Sequence, residues 1–94
     1  MNVISRATID KFIKKHPDSQ SSLKSWYAEA KSANWKKPQD IKDKYKPASF
    51  LSDNRVIFNI GGNKYRLVVS VAYNTQTVFI KWIGTHAEYT KKRF

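Results

Sequence analysis

The chain contains no cysteine and, in 94 residues, only three glycines, three prolines and seven acidic residues. Each shortage excludes something. Without cysteine there is no disulfide framework and no thiolate metal site, a pattern that fits the cytoplasm. Two histidines cannot by themselves make a metal site, so none is expected. No apolar run approaches the roughly 18 residues of a membrane-spanning helix. The opening Met1-Asn2-Val3-Ile4-Ser5-Arg6 lacks the apolar segment of a secretory signal, so no membrane association is expected. A phosphate loop, an H-E-x-x-H helix, a nucleophile elbow and carboxylates paired at a useful spacing are all missing, and no cofactor is implied.

What the chain has in excess is positive charge. Eighteen Lys and Arg against seven Asp and Glu give a net charge of +11, which favours a polyanionic partner, either nucleic acid or an acidic protein. The length predicts one domain over residues 1–94, burying about 60 to 65% of the surface of the unfolded chain. A core of that size is marginal alone and accommodates a partner easily.

Hydrophobic spacing divides the chain into a helical and a strand half. After a short strand at Asn2 to Ile4, Ser5 is an acceptable N-cap for a helix whose Ile9, Phe12 and Ile13 fall at i, i+3 and i+4. Pro17 should end it near His16. Asp18 or Ser19 then caps a second helix, with Leu23, Trp26, Tyr27 and Ala30 on one stripe. Residues 34–53 lose periodicity and read as a loop holding at most one short helix around Gln39 to Lys44. Trp35, Ile41, Tyr45 and Phe50 are enough to pack it against the body.

From Arg55 the period becomes two. Arg55 to Ile60, Lys64 to Tyr73 and Thr77 to Ile83 read as an antiparallel meander, its first turn made by Gly61-Gly62-Asn63 and its second by Asn74-Thr75-Gln76. In the middle strand Tyr65, Leu67, Val69 and Val71 share one face and should meet the helices. The opposite face, with Arg66, Val68, Ser70 and Ala72, is half apolar, so it is either an exposed groove or covered. The fold class is therefore α+β, with two N-terminal helices on a small, twisted, mainly antiparallel sheet and a short helical turn at the C-terminus.

The residues able to carry chemistry gather on this sheet. His16 precedes Pro17 and suits a surface or capping role. His86 follows the Gly84-Thr85 break at the end of the last strand, and if Thr85 caps a final turn, His86 and Tyr89 share one side of it. RNA can be cut without a metal when a base removes the 2′-hydroxyl proton, a cation steadies the phosphorane charge and an acid protonates the leaving 5′-oxygen. His, Arg and Tyr cover these roles, and Arg66 is the cation on the candidate groove face. On bare sequence His86 reads more readily as a surface residue near the C-terminus, and Arg66 as often as a salt-bridge partner on a sheet face. Arg55, Lys64, Lys81, Lys91, Lys92 and Arg93 are interleaved with Tyr65, Tyr73, Trp82, Tyr89 and Phe94. Phosphate neutralisation with aromatic stacking is how single strands are held, although half of these rings must belong to the core.

Phe58-Asn59-Ile60-Gly61-Gly62-Asn63, then Tyr65-Arg66-Leu67-Val68-Val69, with Gly84-Thr85-His86-Ala87-Glu88-Tyr89 closing the sheet, resembles the HigB family of toxins. The likeness extends over nearly the whole chain, including Trp35-Lys36-Lys37-Pro38, and its C-terminal half is the more specific. It implies a RelE-like fold and an mRNA endonuclease acting largely on ribosome-bound message, leaving a 2′,3′-cyclic or 3′-phosphate and a 5′-hydroxyl. It also implies a HigA-type helix-turn-helix antitoxin as partner, through which alone operator DNA would be bound.

Residue by residue, the resemblance gives Arg66 the phosphate-stabilising role. His86 and Tyr89 share proton transfer and substrate orientation in an order it does not fix. The strand entering the hairpin offers Ile57 and Asn59 where RelE carries lysine and arginine, so the resemblance names no general base. Asn59 and Asn63 either hydrogen-bond RNA or satisfy the hairpin, and Lys46, Arg55 and Lys64 are candidate phosphate clamps beside Lys81, Lys91 and Lys92. Two other readings remain: a non-catalytic RNA- or ribosome-binding module, and a gyrase-poisoning toxin of the same fold.

Overall fold

The computed structural model describes residues 1–92; Arg93 and Phe94, counted above among the basic and aromatic residues, lie outside the described residues. The α+β architecture is as expected. In chain order the elements are β1 (Asn2–Ile4), α1 (Arg6–Lys15), a 3₁₀ turn (Pro17–Ser19), α2 (Gln20–Ser32), α3 (Pro38–Lys44), β2 (Ser49–Leu51), β3 (Arg55–Ile60), β4 (Tyr65–Ala72), β5 (Thr77–Thr85) and α4 (His86–Lys91). The strands form one sheet in the order β1-β5-β4-β3-β2, with β1 parallel to β5 and every other pair antiparallel. Among the described residues no helix is long and apolar enough to cross a membrane.

The helix stripes read from the sequence are the buried ones: Ile9 and Phe12 on α1, and Leu23, Trp26 and Ala30 on α2. They pack on the face of β4 made by Tyr65, Leu67, Val69 and Val71, in one cluster with Val56, Phe58, Ile60, Val78 and Ile80. Phe58 sits at its centre, ring against ring with Trp26, Trp35 and Tyr45. Gly61 and Gly62 both take φ near +60 to +70° in the β3–β4 loop, where a side chain would strain the backbone.

The capping differs from expectation. Ser5 occupies the N-cap of α1 in a left-handed conformation (φ 76°), but its side chain makes no capping bond. Ser19 is the N-cap of α2, as expected, but it too makes no side-chain capping bond, and Asp18 lies one residue earlier in the 3₁₀ turn. The Ser19 hydroxyl donates back to the His16 carbonyl, while Asp18 accepts from the Tyr65 hydroxyl and from Lys64 Nζ at 3.2 Å. That bond and the lysine together hold the Asp18 carboxyl below its ordinary pKa. His16 is the C-cap of α1, as expected of its position, its N–H donating to the Phe12 carbonyl at 2.8 Å, while its half-buried ring stacks on Phe12 at 4.5 Å and tilts against Tyr65.

Two further corrections concern the sheet. The segment 34–53 holds α3 as expected but also β2, an edge strand too short to show a period. Gly84 does not break the last strand: β5 runs through it to Thr85, with Gly84 opposite Arg66. Midway, the β4–β5 register slips, with Val68 opposite Trp82 but Val69 opposite Ile80, so Lys81 is an extra residue, a β-bulge. A straight strand would send Trp82 into the core with Val78 and Ile80. The bulge turns Trp82 outward and Ile83 inward.

Candidate nucleic-acid interface

The sheet face away from α1 and α2 carries the candidate residues in cross-strand rows. Asn59, Arg66 and Gly84 form one row; Ile57, Val68 and Trp82 form the next; Ser70 and Phe79 follow, with Ile4 beside Phe79 on β1. The middle of this face is closed rather than open: Ile57 and Val68 are buried although they lie outside the main core cluster. The chain has no Asp or Glu between Asp53 and Glu88, so no carboxylate arises from β3, β4 or β5.

Arg66 is 8% exposed, yet among the described residues it has no acidic partner. Among the described residues the one ion pair joins Lys64 to Asp18. The Arg66 Nη1 group donates to two carbonyls, Asn63 and Tyr65, each at 3.1 Å, and its guanidinium carbon lies 5.9 Å from the centre of the Tyr89 ring. A guanidinium has five N–H donors, so among the described residues Nε and Nη2 are left without an acceptor. The enclosed and unsatisfied side-chain atoms among those residues are Trp26 Nε1 and Tyr73 Oη, so the free nitrogens of Arg66 keep a path to solvent. A nearly buried cation held by neutral carbonyls, with donors to spare, has the hydrogen-bonding capacity to receive an anion.

α4 brings the C-terminal candidates to this spot. Thr85 and Glu88 form a capping box: the Thr85 hydroxyl accepts from the Glu88 N–H at 3.1 Å, and the Glu88 carboxylate accepts from the Thr85 N–H at 2.8 Å. The backbone bond from Thr85 holds the Glu88 carboxyl below its ordinary pKa, with His16 and Lys15 contributing less. The helix start is further fixed by the His86 N–H, which donates to the Lys64 carbonyl at 2.9 Å. His86 is exposed on the first turn, two residues beyond the partner of Arg66, and Tyr89 follows one turn later over the guanidinium.

Gly84 is required here for space. A Cβ at this position would come within 2.3 Å of the Trp82 ring, which lies across the glycine toward Tyr89 at a ring separation of 6.4 Å. Trp82 was counted from sequence only as one of several interleaved aromatics. The bulge at Lys81 is what turns it to this face, and nothing in an alternating pattern announces a bulge.

The other candidates divide by position. Asn59 is beside Arg66, and Asn63 touches it through its carbonyl. Lys92 stands 5.6 Å from the Trp82 ring and Lys81 5.6 Å from the Phe79 ring, and Lys91 is exposed at the end of α4. Lys64 points instead to Asp18 at the hairpin. Arg55 lies four residues along β3 from Asn59, about 13 Å away, with its guanidinium on Ser52. Lys46 is exposed before β2, at the far edge of the sheet. Among the described residues no three His, Asp or Glu side chains are grouped to hold a metal ion.

These features define a class: a small basic α+β protein that carries, on the sheet face away from α1 and α2, a nearly buried arginine with donors to spare. The sequence model of the HigB toxin, a RelE-like toxic component of a toxin-antitoxin system, matches residues 19–92. The chain belongs to the HigB toxin family. It is similar to the mRNA interferase HigB of Escherichia coli O6:H1 (strain CFT073), with 27% identity over 93 residues, 97% of this chain and 90% of that protein. Similarity to the mRNA interferase toxin HigB of Escherichia coli K12 is 26% over 91 residues, covering 95% and 88% of the two chains. The mRNA interferase HigB of Shigella flexneri matches to the same extent. The family match begins at Ser19, and these alignments, covering 95 to 97% of the chain, extend the likeness over α1 as well.

Proposed function

We propose that this chain is an mRNA interferase, a metal-independent endoribonuclease acting in the cytoplasm on message in the ribosome and neutralised by a HigA-type helix-turn-helix antitoxin. The antitoxin, rather than this chain, would bind operator DNA. The observation that carries the reading is Arg66, a nearly buried guanidinium with donors unspent and, among the described residues, no carboxylate partner. The family membership and the interferase names of the relatives agree with it.

In this mechanism the 2′-oxygen forms a bond to phosphorus while the bond from phosphorus to the 5′-oxygen breaks. The products are a 2′,3′-cyclic phosphate, which can open to a 3′-phosphate, and a 5′-hydroxyl. Arg66 donates to the non-bridging oxygens as their charge grows. One proton must leave the 2′-hydroxyl and one must reach the 5′-oxygen. His86 and Tyr89 supply the proton transfer and hold the substrate. Asn59, in the row of Arg66, carries an amide that does not ionise near neutral pH, so it orients RNA and is not the base. Lys81, Lys91 and Lys92 neutralise phosphates along the strand, and Lys46, Arg55, Lys64 and Asn63 contact RNA at the rim.

His86→Ala tests the assignment against simple RNA binding. Because the side chain is exposed, the fold should survive, while ribosome-dependent cleavage falls by about two powers of ten or more, within the range for a lost proton-transfer group. Message affinity should change little. Equal cleavage by wild type and variant would remove His86 from the mechanism. Accumulation of gyrase-linked DNA breaks with message intact would remove RNA cleavage altogether.

A further inference from the structure

Phe79 is a large apolar side chain left 38% exposed on β5, and its β1 neighbour Ile4 is equally exposed. A lone exposed apolar residue needs no explanation. This one, however, lies on the face that carries Arg66, and the ammonium of Lys81 stands over its ring at 5.6 Å. Lys81 is also the extra residue of the bulge, and bulges re-aim side chains beside functional sites. Here the bulge puts Phe79, Lys81 and Trp82 on one side of a strand whose alternation would otherwise separate Trp82 from the other two. The lysine has no carboxylate partner among the described residues, and no acidic side chain arises from the three central strands.

The spacing is regular. Tyr89 marks the row of Arg66, Trp82 the next and Phe79 the next, with successive rows about 6.7 Å apart along the sheet. The Phe79 row is thus about 13 Å from Arg66, a distance that a short extended stretch of a polynucleotide can span. Each ring has a cation at its face: Arg66 over Tyr89, Lys92 over Trp82 and Lys81 over Phe79. Repeated pairing of an aromatic face with a cation is what a single-stranded nucleic acid needs, a surface for each base and a charge for each phosphate. An acidic protein segment would engage the cations but has no need of a ring beside each of them, whereas a single strand uses both.

We infer that Phe79 and Lys81 form a nucleotide subsite for single-stranded RNA, remote from the scissile phosphate, in which a base stacks on the Phe79 ring as Lys81 Nζ moves from the ring to the neighbouring phosphate. The inference rests on the proposed RNA-cleaving function and extends it to the footprint of the substrate. The subsite binds and does not react, so its effect falls on affinity and KM rather than on the chemical step.

The test is binding of a labelled eight-nucleotide 2′-O-methyl oligouridine, which has no free 2′-hydroxyl and cannot be cut by the proposed route. Phe79→Ala and Phe79→Leu should each weaken binding by about 5- to 150-fold, the range for a lost base stack. Phe79→Tyr should restore it, because a ring is required and apolar bulk does not suffice. Lys81→Met should lower the slope of log affinity against log salt by about 0.7, one phosphate on a single strand, and Lys24→Met on the outer side of α2 should not. Unchanged affinity in Phe79→Ala and Phe79→Leu, with wild type still cutting message, overturns the subsite and leaves the proposed function standing. Weakened binding in these variants, with wild type unable to cut message, supports the subsite and sinks the proposed function. If the variants lose antitoxin capture and keep their RNA affinity, the patch serves a protein and the inference is wrong.

Discussion

Arg66→Ala is expected to lower the rate of message cleavage by about two to three powers of ten, the cost of removing a donor aimed at developing charge, with most of the loss in kcat. The physical case is the state of the guanidinium in the folded chain. It is nearly buried, its Nη1 is tied to the carbonyls of Asn63 and Tyr65, and among the described residues no carboxylate neutralises it. Its charge therefore stays available to a phosphate, and little of its position must be reorganised when one arrives. Arg66→Lys keeps the charge but not the planar fork, so its rate should fall between those of wild type and alanine. Single-turnover cleavage of ribosome-bound message measures both, with thermal unfolding to show that the variants are folded. A lysine variant as fast as wild type would mean that charge alone suffices and that the fork has no role.

The second large effect is on stability. Phe58→Ala should cost about 3 to 5 kcal/mol, as for a buried aromatic whose cavity cannot collapse. Phe58 is 1% exposed and its ring meets those of Trp26, Trp35 and Tyr45, so the void would be lined from α2, from the segment after it and from the end of α3. Three large rings fixed by their own neighbours close such a gap poorly. Native proteins are stable by only about 5 to 15 kcal/mol, so this variant loses a large share of the total. Its midpoint should drop by about 12 °C or more, at about 4 °C per kcal/mol for a chain of this size. Phe50→Ala is the control: at 37% exposure it should shift stability by about 1 kcal/mol or less. A Phe58→Ala midpoint within a few degrees of wild type would show that the cluster repacks.

Much of this architecture is legible in the residues, and the losses have physical reasons. The i, i+3, i+4 stripes of α1 and α2 and the core face of β4 follow from periods of 3.6 and 2 acting on one chain, and they meet in the core as their spacing predicts, whereas the cover over Val68 on the other face of β4 was not fixed by period. Thr85 as a cap was visible because a hydroxyl three residues before a glutamate is a local signal, and both hydrogen bonds of the box are formed. β2 was not visible, since three residues are too few to show alternation and its pairing with β3 is a tertiary matter. The slip at Lys81 was hidden for a related reason: the strand on each side of it alternates correctly, and only the partner strand reveals the extra residue. That slip decides which way Trp82 faces. A reading by period two therefore found Arg66 and the hairpin but not the aromatic row beside them. The solvation of Arg66 was also out of reach, because whether an arginine on a sheet meets a carboxylate depends on what folds across it.

The central claim is that the message's own 2′-hydroxyl attacks the phosphate held at Arg66. The direct measurement is cleavage, in the presence of a chelator, of a ribosome-bound message carrying a single 2′-deoxy substitution at the nucleotide whose 3′-phosphate is cut, with the ends of the products identified by mass. Cutting at that bond should vanish, while the unsubstituted message yields a 2′,3′-cyclic or 3′-phosphate and a 5′-hydroxyl. Equal cutting of both messages, leaving a 3′-hydroxyl and a 5′-phosphate, would contradict the account.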